Sequence, residues 1–325
     1  MKSKKRVMIV DALNQFLRSY IVDPSLSIHG SPIGGAKGFM KILNKLTREI
    51  NPDLIIAVWD GEGGSQKRKS LQKSYKAGRK PLRLNRSVRH LTEEEEAENK
   101  VWQQMRVLEY INQTPVIQFM EPRVEADDII SYVAQHSEFA DWQKVIVSSD
   151  KDFYQVLDDN TILFRPTQSQ VLNKRKIVEQ FGIHPLNFAL ARAMVGDKSD
   201  NIEGLKGVGL KTVKKRFPFL VEEKERYTSD IEQYSLANME DGVLFYSKVV
   251  DNIEKIEHNY KMMQLYSPIM SVQLKMKVDQ VLGNYIPEFN KTELKTLMIK
   301  DGIGEVNLGD LYTNFNKTIH DRDIS

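Results

Sequence analysis

Apolar residues fall into short unbroken runs over the first half of the chain and recur at helical spacing over the second. Arg6 to Val10 is a β-rich run that reads as a buried parallel strand, and it ends on Asp11. Leu13 to Tyr20 reads as a helix. After a turn at His29 to Pro32, Gly34 and Gly35 lead into a helix from Ala36 to Ile50, with Phe39, Ile42, Leu43 and Leu46 on one face. Leu54 to Trp59 is a second strand, ending on Asp60-Gly61. Thr92 and Glu95 form a capping box that opens a long helix through Ala97, Val101, Met105, Leu108 and Ile111. Pro115 to Phe119 is a third strand, followed by a helix headed by Val124 to Asp128 and running through Ile129, Ile130, Val133 and Ala134. Lys144 to Ser149 is a fourth strand, Phe153 to Leu157 a short helix, and Thr161 to Phe164 an edge strand. This alternation predicts an α/β fold with a mostly parallel twisted sheet and helices on both faces. From Lys174 onward the pattern is helical, with helices over 174–181 and 185–195 and more to the end, so the chain divides into 1–185 and a helical 186–325.

The acids sit at informative places. Ligands of open parallel sheets bind at the carboxyl ends of the strands, so Asp11 and Asp60 arrive at one edge. Glu125, Asp127 and Asp128 crowd a helix head. One or two acids there are explained by the helix dipole, worth about 0.3–1 kcal/mol each, but three also repel one another. Asp150 and Asp152 follow the fourth strand, and Asp197 and Asp200 lie at the junction with the helical region. Nine desolvated like charges would raise each other's proton affinity and destabilise the fold unless cations neutralised them. Two divalent ions about 3.5–4 Å apart use such a cluster to activate water and stabilise a leaving oxygen at phosphorus.

Composition narrows the ion. There is no cysteine, which excludes thiolate chemistry, disulfides and zinc–thiolate sites, and the six histidines show no metal-ligand spacing. Oxygen ligands point to magnesium or manganese. The net charge is only +3, yet ten Lys or Arg and no acid lie between Ser65 and His90, and five more with no acid lie between Lys206 and Arg216. Such local excess suggests a polyanion gripped at particular places. The second basic stretch surrounds Gly204-Leu205-Lys206-Gly207-Val208-Gly209. Its glycines read either as helix C-caps or as a helix-hairpin-helix over about 196–217, whose backbone N–H groups and Lys206, Lys211, Lys214 and Lys215 would hold a nucleic-acid backbone without reading bases. No apolar run is long enough to span a bilayer and no apolar segment follows the basic start, so the expected location is the cytoplasm.

Seven motifs in order carry a family resemblance: Asp11, Trp59-Asp60-Gly61, Tyr75-Lys76-Ala77-Gly78-Arg79, Val124 to Asp128, Ser149 to Asp152, Gly196 to Asn201, and Gly207 to Thr212. Over about Val7 to Arg216 the chain resembles the structure-specific 5′-nucleases, which include flap endonucleases, the 5′-nuclease domain of bacterial DNA polymerase I and phage 5′-exonuclease/ribonuclease H enzymes. With no polymerase domain attached it looks most like the phage type, for which the host cytoplasm is the expected location. The resemblance implies that Asp11, Asp60, Glu125, Asp127 and Asp128 serve one Mg2+ and Asp150, Asp152, Asp197 and Asp200 a second, with Mn2+ able to substitute. It places Lys76 and Arg79 in a helical arch over about 62–92, Lys76 near the scissile phosphate, with Asp150 and Asp152 at the catalytic centre. Arg68 and Tyr75 would touch nucleic acid, Tyr75 by stacking on a base, the alternative for a loop aromatic being simple packing, although Arg68 and Lys69 lie nearer Tyr75 than the family's pattern sets its arginines. Lys206, Gly207, Gly209, Lys211, Lys214 and Lys215 would hold duplex DNA, with a potassium ion on the turn's carbonyls. The implied activity is 5′-3′ exonuclease, ribonuclease H and flap cleavage by a monomer, removing RNA primers during lagging-strand replication. Implied partners are flap or fork DNA, RNA/DNA hybrid, a single-stranded-DNA-binding protein and a sliding clamp. The rival readings are a non-catalytic DNA-junction binding protein and a ribonuclease for single-stranded RNA.

Overall fold

The computed structural model describes residues 4–78, 83–88, 91–239 and 244–323. The chain opens with β1 (Arg6–Asp11), α1 (Ala12–Val22), α2 (Gly34–Ile50), β2 (Leu54–Asp60), α3 (Gln66–Leu71), α4 (Glu93–Ile111), β3 (Val116–Glu121) and α5 (Ala126–Ala134). It continues through β4 (Gln143–Val147), a 3-10 turn at Asp152–Val156, β5 (Thr161–Arg165) and β6 (Gln170–Leu172). These six strands form one sheet in the order β3-β2-β1-β4-β5-β6, parallel except for β6. The expected edge strand is therefore one place inside the edge, which β6 occupies by turning back antiparallel on β5. Three residues are too few to give β6 a periodic signal.

Strand alternation sorts the core into two layers. Val7 and Ile9 of β1, Ile56 and Val58 of β2, Ile117 and Phe119 of β3 and Ile146 of β4 face one layer, with Ile129, Ile130 and Val133 of α5. Met8 and Val10, Ile55, Ala57 and Trp59, and Val145 and Val147 face the other, against Phe16 of α1, Phe39 and Leu43 of α2, and Val107 and Tyr110 of α4. Both faces are dry, which is why the strands read as continuous apolar runs rather than as alternating ones.

The helical half contributes α6 (Lys174–Phe181), α7 (Pro185–Val195), a minimal hairpin of β7 (Gly196–Asp197) and β8 (Ile202–Glu203), α8 (Leu210–Arg216), α9 (Thr228–Ala237), α10 (Leu244–Val250) and α11 (Ile253–Met263). With α12 (Val272–Gly283) these extend the layer that holds α5. The last helices, α13 (Lys291–Lys300) and α14 (Gly309–Asp323), return to the opposite layer. There Asn44 of α2 accepts the Leu311 N–H at 3.0 Å and donates to Asp310 at 2.8 Å, while Asn314 donates to the carbonyl of Pro52 at 2.7 Å. The tail is thus part of the sheet's packing. Among the described residues no helix is long and apolar enough to cross a membrane.

Leu311 is fully buried in this layer. Leu311→Ala is expected to cost about 2–5 kcal/mol in urea denaturation, the range for emptying a packed leucine site. A loss below about 0.5 kcal/mol, typical of a surface change, would mean that the tail does not support the sheet.

Candidate active site

Sequential strands β1, β2 and β3 lie to one side and β4 and β5 to the other, so the strand order reverses at the β1/β4 boundary, where open α/β sheets bind their ligands. Val10 of β1 pairs in register with Val147 of β4, which sets Asp11 level with Ser148. Ser148 Oγ donates to Asp11 Oδ2 at 2.7 Å and accepts from the Asp150 N–H at 3.0 Å. Asp150 Oδ1 in turn accepts from the Asp152 N–H at 2.8 Å. The other oxygen of Asp11 caps α1 by accepting the Asn14 N–H at 3.1 Å. Across the sheet, Asp60 Oδ1 accepts from the Ala126 N–H at 2.8 Å, tying the end of β2 to the head of α5. Asp127 follows directly and enters the field of Asp11, Asp60 and Asp150.

The carboxylates perturb each other strongly. Burial raises the pKa of Asp11 from 3.8 to about 7, with Asp60 and Asp150 adding to it and the Ser148 hydrogen bond opposing. Burial likewise lifts Asp152 to about 7, reinforced by Asp150 and opposed by Arg192. Asp127 is pushed well above the ordinary carboxylate range by burial, then by Asp150 and Asp11. Asp197 is held low despite burial, because Ser199 donates to it and Arg192 lies beside it. Arg192 Nη2 bridges this pair, reaching Asp152 Oδ1 at 3.1 Å and bonding Asp197 Oδ2. Asp200 adds its charge to the field at Asp152.

Two of the nine acids are diverted. Arg68 of α3 is 4% exposed, and its guanidinium grips both oxygens of Asp128, at 2.7 and 3.1 Å, and also binds Glu125. Its Nε donates to the carbonyl of Met262 at 3.0 Å, and the Ile269 N–H donates to Asp128 at 3.0 Å. Arg68, expected to touch nucleic acid, and Asp128, expected to serve a metal ion, here face each other instead: together they form a buried junction between α3, α5, the end of α11 and the segment after it. Glu125 accepts from Lys76 Nζ at 2.6 Å and from the Tyr75 hydroxyl at 3.2 Å, so a metal ion would have to replace Lys76 on it. Burial works to raise the pKa of Glu125, but Lys76 and Arg68 hold it below the ordinary value. Tyr75 is 3% exposed and enclosed by Ile202, Met262 and Met263, which fits the packing alternative rather than stacking on a base. Arg79 lies outside the described residues.

Beyond the acids the chain runs through the β7–β8 hairpin into α8. Gly204 is required by close approach, since a Cβ there would lie 2.1 Å from the Val195 backbone. Gly207 adopts φ +78°, a left-handed turn that favours glycine, and faces open space, while Gly209 precedes α8 in extended conformation. Lys206, Lys211, Lys214 and Lys215 are all exposed around this turn. Lys248 of α10 donates to the carbonyl of Lys206 at 3.1 Å, so one carbonyl of the turn that was expected to hold potassium already faces a cation of the chain.

The donor set fits a hard divalent cation, being carboxylate oxygen throughout. Asp11, Asp60, Asp127, Asp150, Asp152, Asp197 and Asp200 share one electrostatic field. Among the described residues no three acids are drawn close enough to chelate one ion as the side chains stand. Like charges spread apart, and the oxygens turn to Ser148, Arg192 and backbone N–H groups instead. Sequence reading missed Ser148 and Arg192. Arg192 had left a signal, as the one charged residue in the apolar helix α7.

Removing Arg68 leaves the buried Asp128 without its cation, while Glu125 keeps Lys76. Arg68→Ala is expected to cost about 3–5 kcal/mol, and adding Asp128→Asn should recover a measurable part of it, because the second change removes the orphaned charge. A double-mutant cycle by chemical denaturation reads both effects, and strict additivity would contradict the pairing.

The family model for the 5′-3′ exonuclease N-terminal, resolvase-like domain matches residues 6–182. A 5′-3′ exonuclease of Aquifex aeolicus is 26% identical over 309 residues, covering 93% of this chain and 95% of that protein. A thermostable DNA polymerase I of Thermus aquaticus is 29% identical over 245 residues, 73% of this chain, and the match spans only 27% of the polymerase. Among solved structures, the D15 flap endonuclease of bacteriophage T5, in a pseudo-enzyme–product complex with DNA and metal ions, superposes with a TM-score of 0.65 at 19% identity. That match covers 96% of this chain and all of the phage protein, and it establishes the fold. With the model covering more than half of its residues, this chain belongs to the 5′-3′ exonuclease family of nucleases.

Proposed function

We propose that this chain is a divalent-metal-dependent, structure-specific 5′-nuclease that hydrolyses phosphodiesters at 5′ ends and flaps and removes RNA primers during lagging-strand replication in the cytoplasm. The observation that carries the reading is the carboxylate field at the β1/β4 edge, in which Asp11, Asp127 and Asp152 are all pushed above their ordinary proton affinity by burial and by neighbouring acids. Such a field costs stability by itself and becomes favourable around cations. Asp11, Asp60, Asp127, Asp150, Asp152, Asp197 and Asp200 would hold two Mg2+ ions. When bound, divalent cations supply the charge that activates water and stabilises the leaving oxygen.

The remaining steps belong to the chain's own groups. Lys76, resting on Glu125, lies within the field of Asp127 and Asp200, where its ammonium can meet the reacting phosphate. Lys206, Lys211, Lys214 and Lys215 present an exposed basic rim for the duplex backbone, which positions substrate without reading bases. Specificity would then follow duplex ends, bends and junctions. The metal ions and DNA named for the phage relative, and the DNA polymerase of which the Thermus match is a part, support metal use, DNA substrates and a replication role.

Cleavage of a 5′-labelled flap duplex and of an RNA-primed duplex tests the proposal, in magnesium and in chelator. Wild type should release short 5′ products only with metal. Asp150→Ala should lose about 10²–10³-fold in rate while still binding the duplex. If both proteins bind and neither cuts in magnesium or manganese, the non-catalytic junction-binding protein takes its place.

A further inference from the structure

The segment that carries Lys76 is tied to the loop that carries Asp197 and Asp200. Asn201 Nδ2 donates to the carbonyl of Ser74 at 2.9 Å and to that of Ala77 at 2.7 Å, bracketing Lys76 on both sides. The carbonyl of Asn201 accepts from Gln72 Nε2 at 2.7 Å, and the carbonyl of Asp200 accepts from the Lys76 N–H at 3.0 Å. Four hydrogen bonds thus join two loops more than 120 positions apart in sequence. Both centres are left-handed: Lys76 has φ +53° and Asn201 has φ +58°. Asparagine suits the second position, since it tolerates that conformation better than most residues and its amide supplies two N–H donors.

We infer that Asn201 is a positioning residue for the cleavage proposed above, its side-chain amide fixing the Lys76 backbone against the acidic loop. The inference rests on the nuclease reading. The same loop continues through β8 into the exposed lysines around Gly207, so the proposed duplex rim and the Lys76 segment are joined through it. An ammonium on a long flexible side chain acts on a phosphate only when its root is held, and small misplacements near reacting atoms are costly in rate.

Asn201→Gly separates the amide from the backbone role, because glycine keeps the left-handed conformation and loses both donors. Asn201→Asp retains the volume and loses the donors, and it supplies the same readings where glycine weakens the fold. In metal-free buffer without DNA, trypsin should cut after Lys76 at least about threefold faster in either variant, as a released segment opens more often. On flap DNA in magnesium, kcat should fall roughly 10- to 100-fold, with duplex affinity in chelator unchanged within about twofold. Equal trypsin rates in wild type and both variants would overturn the tie. Faster trypsin cutting with unchanged kcat would overturn the positioning role and leave only a structural one. A wild type that does not cut DNA would remove the nuclease reading and this inference with it, and the trypsin comparison identifies that case separately from failure of the tie.

Discussion

Repulsion between carboxylates gathered at the β1/β4 edge is the constraint around which this molecule is arranged. Parallel strands deliver Asp11 and Asp150 side by side, the head of α5 delivers Asp127, and α7 with the following loop delivers Asp152's neighbours Asp197 and Asp200. The sheet is buried on both faces by apolar layers, so nothing in its interior can screen these charges. What holds them is a set of short polar links: Ser148 between Asp11 and Asp150, Arg192 between Asp152 and Asp197, and the backbone N–H of Ala126 on Asp60.

The chain's own cations divide the nine acids by role. Arg68 takes Asp128 and one oxygen of Glu125 into a buried junction where α3, α5 and the segment after α11 meet. A guanidinium suits that place because it stays charged when buried and matches a carboxylate with two parallel donors. Lys76 takes the other oxygen of Glu125 and lies in the field of Asp127 and Asp200. The two cations differ in burial: the Arg68 side chain is 5% exposed and the Lys76 side chain 20%.

Much of this was legible in the chain itself. The parallel sheet could be read because strands buried on both faces are unbroken apolar runs, and the acids could be read because they follow such a run, head a helix or, for Asp197 and Asp200, mark the junction with the helical region. The resemblance to 5′-nucleases then ordered them. What could not be read was the partner of each charge. Arg68 counted as one basic residue among ten in a stretch read as gripping a polyanion, and only the fold shows that its side chain points inward to Asp128. Tyr75 looked like a loop aromatic, whereas packing against Ile202, Met262 and Met263 encloses it. Pairings over such sequence distances leave no local period. The three-residue strand β6 was missed for the opposite reason, being too short to show one.

The central claim is that the acid cluster is strained until divalent cations enter it, and thermal melting tests this most directly. Asp11 and Asp152 titrate at about 7 when folded, against 3.8 ordinarily. Below about pH 4 both groups are protonated folded or unfolded and contribute nothing; as pH rises through 7 the folded state must give up protons it holds more tightly, and stability is lost. On the proposed reading Mg2+ would relieve that cost, and protons would compete with it at low pH. Chelator-treated protein should therefore gain several degrees in Tm from magnesium at pH 8 and less than about half as much at pH 5.5. A gain equal at the two pH values, or none at pH 8, would contradict the account.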